Sequence, residues 1–220
     1  MMREVVYMGY SEENIIKDNL LIYNSRMDLL DFIMDNLVSK QKTDNLKIAV
    51  ADNTLNTYER YNENPYMLLS IIKDNSKTLG LLSWLEMEIK FRGECFNKLK
   101  VDTLKHYNEV SKEKIPMLIV LFNDIMDFIR YYKREVPNIE NFLDTTVYTN
   151  NDWKEFRDSV SNVCIYGEKY GIQIIVSTKY DLKYVDLEDL NSFFHSIDYE
   201  EFKIKVQEAN LSDNSINHKD

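Results

Sequence analysis

Glycine and proline are scarce in this chain, with five and three residues among 220. A loop that wraps phosphate with inward-turned N–H groups draws on several glycines, so their shortage counts against such a loop. The two cysteines, Cys95 and Cys164, fall in segments of helical spacing and read as free thiols in a reducing compartment. They lack C-x-x-C spacing. His106, His195 and His218 are too scattered to complete a metal set, so no metal is expected. No G-x-S-x-G is present. No apolar run approaches the ~18 residues of a membrane span, and Glu4, Glu12 and Glu13 interrupt any signal-peptide pattern. Basic residues are outnumbered, 27 against 37 acidic, for a net charge of −10. That disfavours binding of nucleic acid or anionic membrane through the whole surface. The expected setting is cytoplasmic, either free or at the membrane as a soluble piece of something larger.

Hydrophobic residues make up 44% of the chain and charged residues 29%, enough for one α/β domain of this length. The most informative stretch is Pro116-Met117-Leu118-Ile119-Val120-Leu121-Phe122-Asn123-Asp124. It is apolar on both faces, as a buried central strand of a parallel sheet would be. Its polar end matters because ligands of open α/β sheets bind beyond the carboxyl ends of the strands.

Further strands are expected at residues 5–8, 19–23, 46–51, 67–72, 172–176 and 202–206. Helices are expected from Met27 to Leu37, from an N-cap at Ser76 to about Lys98, and over 101–112, 125–133, 153–170 and 187–194. Leu79, Leu82, Leu85, Met87, Ile89 and Phe96 supply the apolar side of the long helix. Residues 138–152 read as an insertion, and 209–220 as a polar, disordered tail. The expectation is a single domain over 1–208.

The strand–turn–helix at residues 20–37 is the architecture of a P-loop NTPase, and here the chain resembles the motor domain of the FtsK/SpoIIIE family. Asn64-Pro65-Tyr66-Met67-Leu68 is similar to that family's IPHLL segment, and Ile72-Lys73-Asp74 to its VTD. Glu88, Arg92 and Phe96 match its E-M-E-R-R-Y-x-L-F helix. His106-Tyr107-Asn108 resembles the end of its V-R-N-I-x-G-Y-N segment. Tyr170-Gly171-Ile172-Gln173-Ile174-Ile175-Val176-Ser177-Thr178-Lys179 resembles its G-I-H-L-I-I-A-T-Q strand. The resemblance runs over residues 19–197. It implies a RecA-like P-loop NTPase fold, a mainly parallel central sheet with helices on both faces.

The departures fall at the chemistry. The phosphate loop is reduced to Asn24-Ser25-Arg26-Met27, without glycine. Arg26 stands near the place of the P-loop lysine. Met27 stands where a hydroxyl would hold Mg²⁺, and a thioether is a poor ligand for a hard cation. In the Walker B position, Asn123 replaces the metal-side Asp and Asp124 the Glu that orients water. At the sensor position, after Thr178, Lys179 replaces Gln. Phosphoryl transfer rests on positioning and electrostatics, so the expectation is loss of ATP hydrolysis, no catalytic residues, and no ATP or Mg²⁺ as cofactor.

The resemblance extends to the degenerate terminal motor-like domains of type VII secretion coupling ATPases, the EssC/YukB group. It implies a protein-interaction, substrate-recognition or regulatory module of a secretion or translocation motor. The partners would be proteins, adjacent motor domains or copies in a ring. The alternatives are a DNA-translocation accessory, or a weak NTPase using Arg26 and Asp124. Other features have plainer readings: Asp124 with Asp127 as a cap, and Lys98 to Lys105 as a solvated basic face. The tyrosine-rich stretches 58–66 and 131–153 read equally as partner surfaces and as packed loops.

Overall fold

The computed structural model describes residues 19–26, 28–38, 42–53, 58–133, 151–185 and 187–216. Five strands, β1 (Leu20–Tyr23), β2 (Leu46–Asp52), β3 (Met117–Asn123), β4 (Ile172–Ser177) and β5 (His195–Asp198), form one sheet in the order β2-β3-β4-β1-β5. Every pairing is parallel. The central apolar run is β3, whose residues Met117 to Phe122 are all buried. Its side chains alternate between two cores, as the strand period requires. Met117, Ile119 and Leu121 face one, and Leu118, Val120 and Phe122 the other.

Helices cover both faces, as expected. The first core takes Leu29, Leu30 and Ile33 of α1 (Leu29–Ile33), Leu104 and Tyr107 of α3 (Leu104–Val110), and Phe202 and Val206 of α6 (Tyr199–Ile216). The second takes Leu81, Leu82 and Leu85 of α2 (Asn75–Leu99), Phe128 of α4 (Ile125–Tyr132), and Phe156, Val160 and Val163 of α5 (Asn151–Tyr166). At the turn into β4, Gly171 adopts φ 73°, and a Cβ there would strike the Leu104 side chain.

Several elements differ from the sequence reading. The stretch 202–206 is helix, not strand. Phe202 and Val206 lie four positions apart on one helical face while Ile204 is exposed. The last strand is instead β5, pairing with β1 from Leu20↔His195 to Tyr23↔Asp198. Residues 67–72 touch β2 only at Met67↔Ile48 and Ile72↔Ala51. Between these bridges the backbone bends away from the sheet. The helix after β1 is shorter than expected and continues as a π-helical turn, Met34–Val38. The cap of α2 is Asp74, which accepts from the Ser76 N–H and hydroxyl. Met87, expected on the apolar side of α2, is exposed, and Leu81 is buried in its place. The tail read as disordered from 209 is helical through Ile216. The expected strand at 5–8, residues 138–150 of the insertion, and 217–220 lie outside the described residues.

Candidate functional site

The carboxyl ends of β1, β3 and β4 bring the candidate residues together. After β1, Asn24 takes φ 52°, a left-handed conformation that asparagine tolerates better than most residues. Its backbone N–H donates to the Tyr180 carbonyl (3.0 Å), and the Ser25 N–H to the Thr178 carbonyl (2.8 Å). The Thr178 N–H donates back to the Ile22 carbonyl (2.9 Å). The short loop is therefore stitched to the exit of β4. The Asn24 side-chain amide reaches Asp198 Oδ2 at 2.8 Å. Arg26 forms an exposed ion pair with Glu200 at 3.1 Å. Met27 lies outside the described residues.

Carboxylates line the start of α1. Asp28, the residue before its first turn, accepts from the Tyr199 hydroxyl at 2.8 Å. Asp31 accepts from the Tyr61 hydroxyl at 2.6 Å and pairs with Arg60. Burial first, then the Asp28 hydrogen bond, pushes the Tyr199 phenol up.

At the end of β3 a chain of hydrogen bonds crosses three strands. Asn123 donates to Asp52 Oδ1 (3.1 Å). The Ser177 hydroxyl donates to Asn123 Oδ1 (3.0 Å) and accepts the Asp124 N–H (3.2 Å). Asp124 is buried and left-handed, at φ 51° and ψ 70°. Its Oδ1 accepts from the Thr178 hydroxyl at 3.5 Å. Its Oδ2 meets the Lys179 ammonium at 2.8 Å. The Lys179 pKa is raised, chiefly by that hydrogen bond; burial opposes the rise, and the charges of Asp124 and Asp127 add to it. Beside it, Arg130 pairs with Asp127 (3.2 Å), donates to the Tyr180 hydroxyl (3.0 Å), and lies over the Tyr180 ring.

All the sequence-selected positions described here, Asn24, Ser25, Arg26, Asn123, Asp124, Thr178 and Lys179, thus gather at one edge. The sequence reading missed Asp198, Glu200, Tyr180 and Ser177 as their partners. Asp198 and Glu200 were hidden by the misplaced last strand, whereas Ser177 could have been found as the polar residue closing an apolar strand.

Other candidates fall elsewhere. Among the described residues no His, Cys, Asp or Glu cluster could hold a metal ion; His218 is not described. Cys164 is buried, and burial pushes its thiol up. Tyr58, Tyr132 and Trp153 are buried core residues rather than partner surfaces. Lys98, Lys100 and Lys105 are exposed, where α2 ends and α3 begins, the end at which Arg92 and Gly93 of α2 meet Tyr170, ahead of β4.

No family model matches the chain. The DNA translocase FtsK of Clostridium tetani (strain Massachusetts / E88) is 23% identical over 114 residues, 50% of this chain and 15% of that protein. The DNA translocase FtsK of Helicobacter pylori (strain J99 / ATCC 700824) is 30% identical over 97 residues, 42% of this chain and 12% of that protein. The chain therefore matches only a small part of these relatives' length. Among solved structures, EssC (ATPases 2 and 3) from Geobacillus thermodenitrificans superposes with a TM-score of 0.62 at 16% identity, over 83% of this chain and 32% of that one. The pCW3 conjugation coupling protein TcpA, a monomer form with ATPγS, gives 0.58 at 13% identity, over 94% of this chain and 60% of that one. Local sequence and overall architecture agree: the chain resembles the FtsK translocases over up to half its length and has a RecA-like α/β fold akin to the ATPase domains of EssC.

Proposed function

We infer that this domain does not hydrolyse nucleotide and serves a secretion or translocation motor through protein contacts, as a substrate-recognition or regulatory module. The observation that carries this is the loop after β1. A phosphate loop works by presenting free backbone N–H groups to the anion. Here those of Asn24 and Ser25 are committed to the carbonyls of Tyr180 and Thr178.

The remaining groups fit Mg²⁺ and a nucleoside triphosphate no better. The base that would face phosphate, Arg26, is paired with Glu200. Asp28 and Asp31 put negative charge at the start of α1, where a phosphate would be repelled. Asp124 already carries the Lys179 ammonium. No catalytic step is assigned to any of them.

Adjacent motor domains or further copies of the chain are the partners this reading favours, since the chain matches only a fraction of larger motors. The setting it favours is cytoplasmic. Among the described residues no helix is long and apolar enough to cross a membrane.

Calorimetric titration with Mg²⁺ and ATP tests the proposal, together with a phosphate-release assay. The expected result is no binding at micromolar concentration and no turnover; micromolar binding or release above background overturns it. The names of the FtsK relatives support a second reading, a DNA-translocation accessory. Salt-sensitive binding to duplex DNA would favour it, against the net charge of −10.

A further inference from the structure

Resting on that reading of the site, we propose that Lys179 is a built-in counter-cation, whose ammonium neutralises Asp124 and so closes this edge to a divalent cation. Three observations carry it. The Asp124 side chain is 7% exposed, whereas that of Lys179 is 55% exposed. A buried carboxylate is costly unless a cation or hydrogen-bond donors answer it, and the lysine brings a cation in from the solvent side. The backbone leaves Asp124 no easy way out. Its φ of 51° is left-handed, a region that residues other than glycine populate sparsely. Here its N–H is fixed by Ser177 and one carboxylate oxygen by Thr178.

The neighbouring carboxylates have partners of their own. Arg130 serves Asp127, and Asp52 accepts from Asn123. Lys179 is thus the cation placed to answer Asp124. Mg²⁺ binds through one or two carboxylates and gives up its waters reluctantly. To enter here it would have to displace an ammonium already in contact.

The arrangement also differs from an ordinary surface ion pair. Two solvated partners can separate at almost no cost. Separation here would strand the buried member.

The test compares the unfolding midpoints of the wild-type protein, Lys179→Met and the double variant Asp124→Asn/Lys179→Met, each with chelator and with millimolar Mg²⁺. No nucleotide is present in any arm. ATP turnover measured separately would therefore defeat the functional reading without deciding this test, and this test can fail while that reading stands. The wild-type midpoint is expected to ignore Mg²⁺. Lys179→Met should fall by about 2–6 °C and recover part of the loss when Mg²⁺ is added. The double variant should recover without Mg²⁺ and not respond to it. Three results would each overturn the proposal. One is an unchanged midpoint in Lys179→Met, and another is stabilisation of the wild type by Mg²⁺. The third is a loss that neither Mg²⁺ nor Asp124→Asn repairs, since packing of the lysine stem rather than its charge would then hold the fold.

Discussion

Arg92 on α2 donates through Nη1 to the Tyr170 carbonyl at 2.8 Å, tying the helix to the turn that feeds β4. Its Nε meets Glu88 one turn earlier at 2.8 Å, and the arginine side chain is only 3% exposed. Removing the guanidinium leaves both the carbonyl and the largely covered carboxylate without a donor. Arg92→Ala should lose about 3 kcal/mol of stability, read from urea unfolding. Arg92→Lys should recover only part, because one ammonium cannot span both acceptors in the same geometry.

A second prediction concerns Gly171. Its φ of 73° suits glycine, and an added methyl group would run into the Leu104 side chain. Gly171→Ala should cost about 1–3 kcal/mol from backbone strain and overpacking together. Adding Leu104→Ala should relieve the clash but not the strain. A double-mutant cycle on the urea midpoints therefore checks the pair.

The third concerns Asn123. It donates to Asp52 Oδ1 at 3.1 Å. Asn123→Asp replaces that donor with a second carboxylate, in a setting where Asp52 is 2% exposed. One of the two would then hold its proton to a higher pH than usual. The variant should be about 1–3 kcal/mol less stable at neutral pH. Because the raised group is protonated in acid, the deficit should shrink as pH falls below about 5 and grow as it rises. Thermal unfolding across pH, set against wild type, measures this. An acidic residue at this position should not bring nucleotide binding with it, since the N–H groups of Asn24 and Ser25 stay committed.

Alkaline pH gives a fourth prediction. Burial pushes the Cys164 thiol above its ordinary 9.0. Burial, first among the causes, also lifts Tyr58, Tyr132 and Tyr199 above 10.0. In each case the folded protein keeps a proton that the unfolded chain releases sooner. Their stabilising contribution is full below the ordinary value and is lost as pH rises past it. Lys179, raised above 10.5 by Asp124, acts in the same direction. The unfolding midpoint should be level between about pH 7 and 8.5, then decline above about pH 9. Cys164→Ala should move the onset of that decline towards the tyrosine range.

Much of the architecture is legible in the amino-acid sequence because parallel strands are buried on both faces. Residues 46–51, 117–122 and 172–176 are apolar nearly throughout and stand out from the amphipathic helices between them. Edge elements carry no such mark. His195-Ser196-Ile197-Asp198 has one aliphatic residue, yet it is a strand because β1 needs a partner on that side. Phe202, Ile204 and Val206 alternate as a strand would, yet Phe202 and Val206 also suit one helix face. Packing against α1 favours the helix. At the site, Asn123, Asp124 and Lys179 are identifiable by their place relative to apolar strands. Their contacts are not, since Asp52 and Ser177 lie far from Asn123 in sequence, and Asn24 and Arg26 meet Asp198 and Glu200, whose element the sequence pattern misplaces.

The strand order also constrains how the chain comes together. The Asn19 side-chain carbonyl, at the entrance to β1, accepts the Ile174 N–H from 155 residues away, and β1 pairs only with β4 and β5. As the chain leaves the ribosome, β2 can find β3 well before β1 has anything to pair with. Closing such distant contacts is the slow part of building a parallel sheet. The first of the described strands to be made is thus among the last to be placed, and a nascent chain that has not yet reached Ile172 carries Leu20-Leu21-Ile22 without either of its partner strands, a natural point for a chaperone to hold.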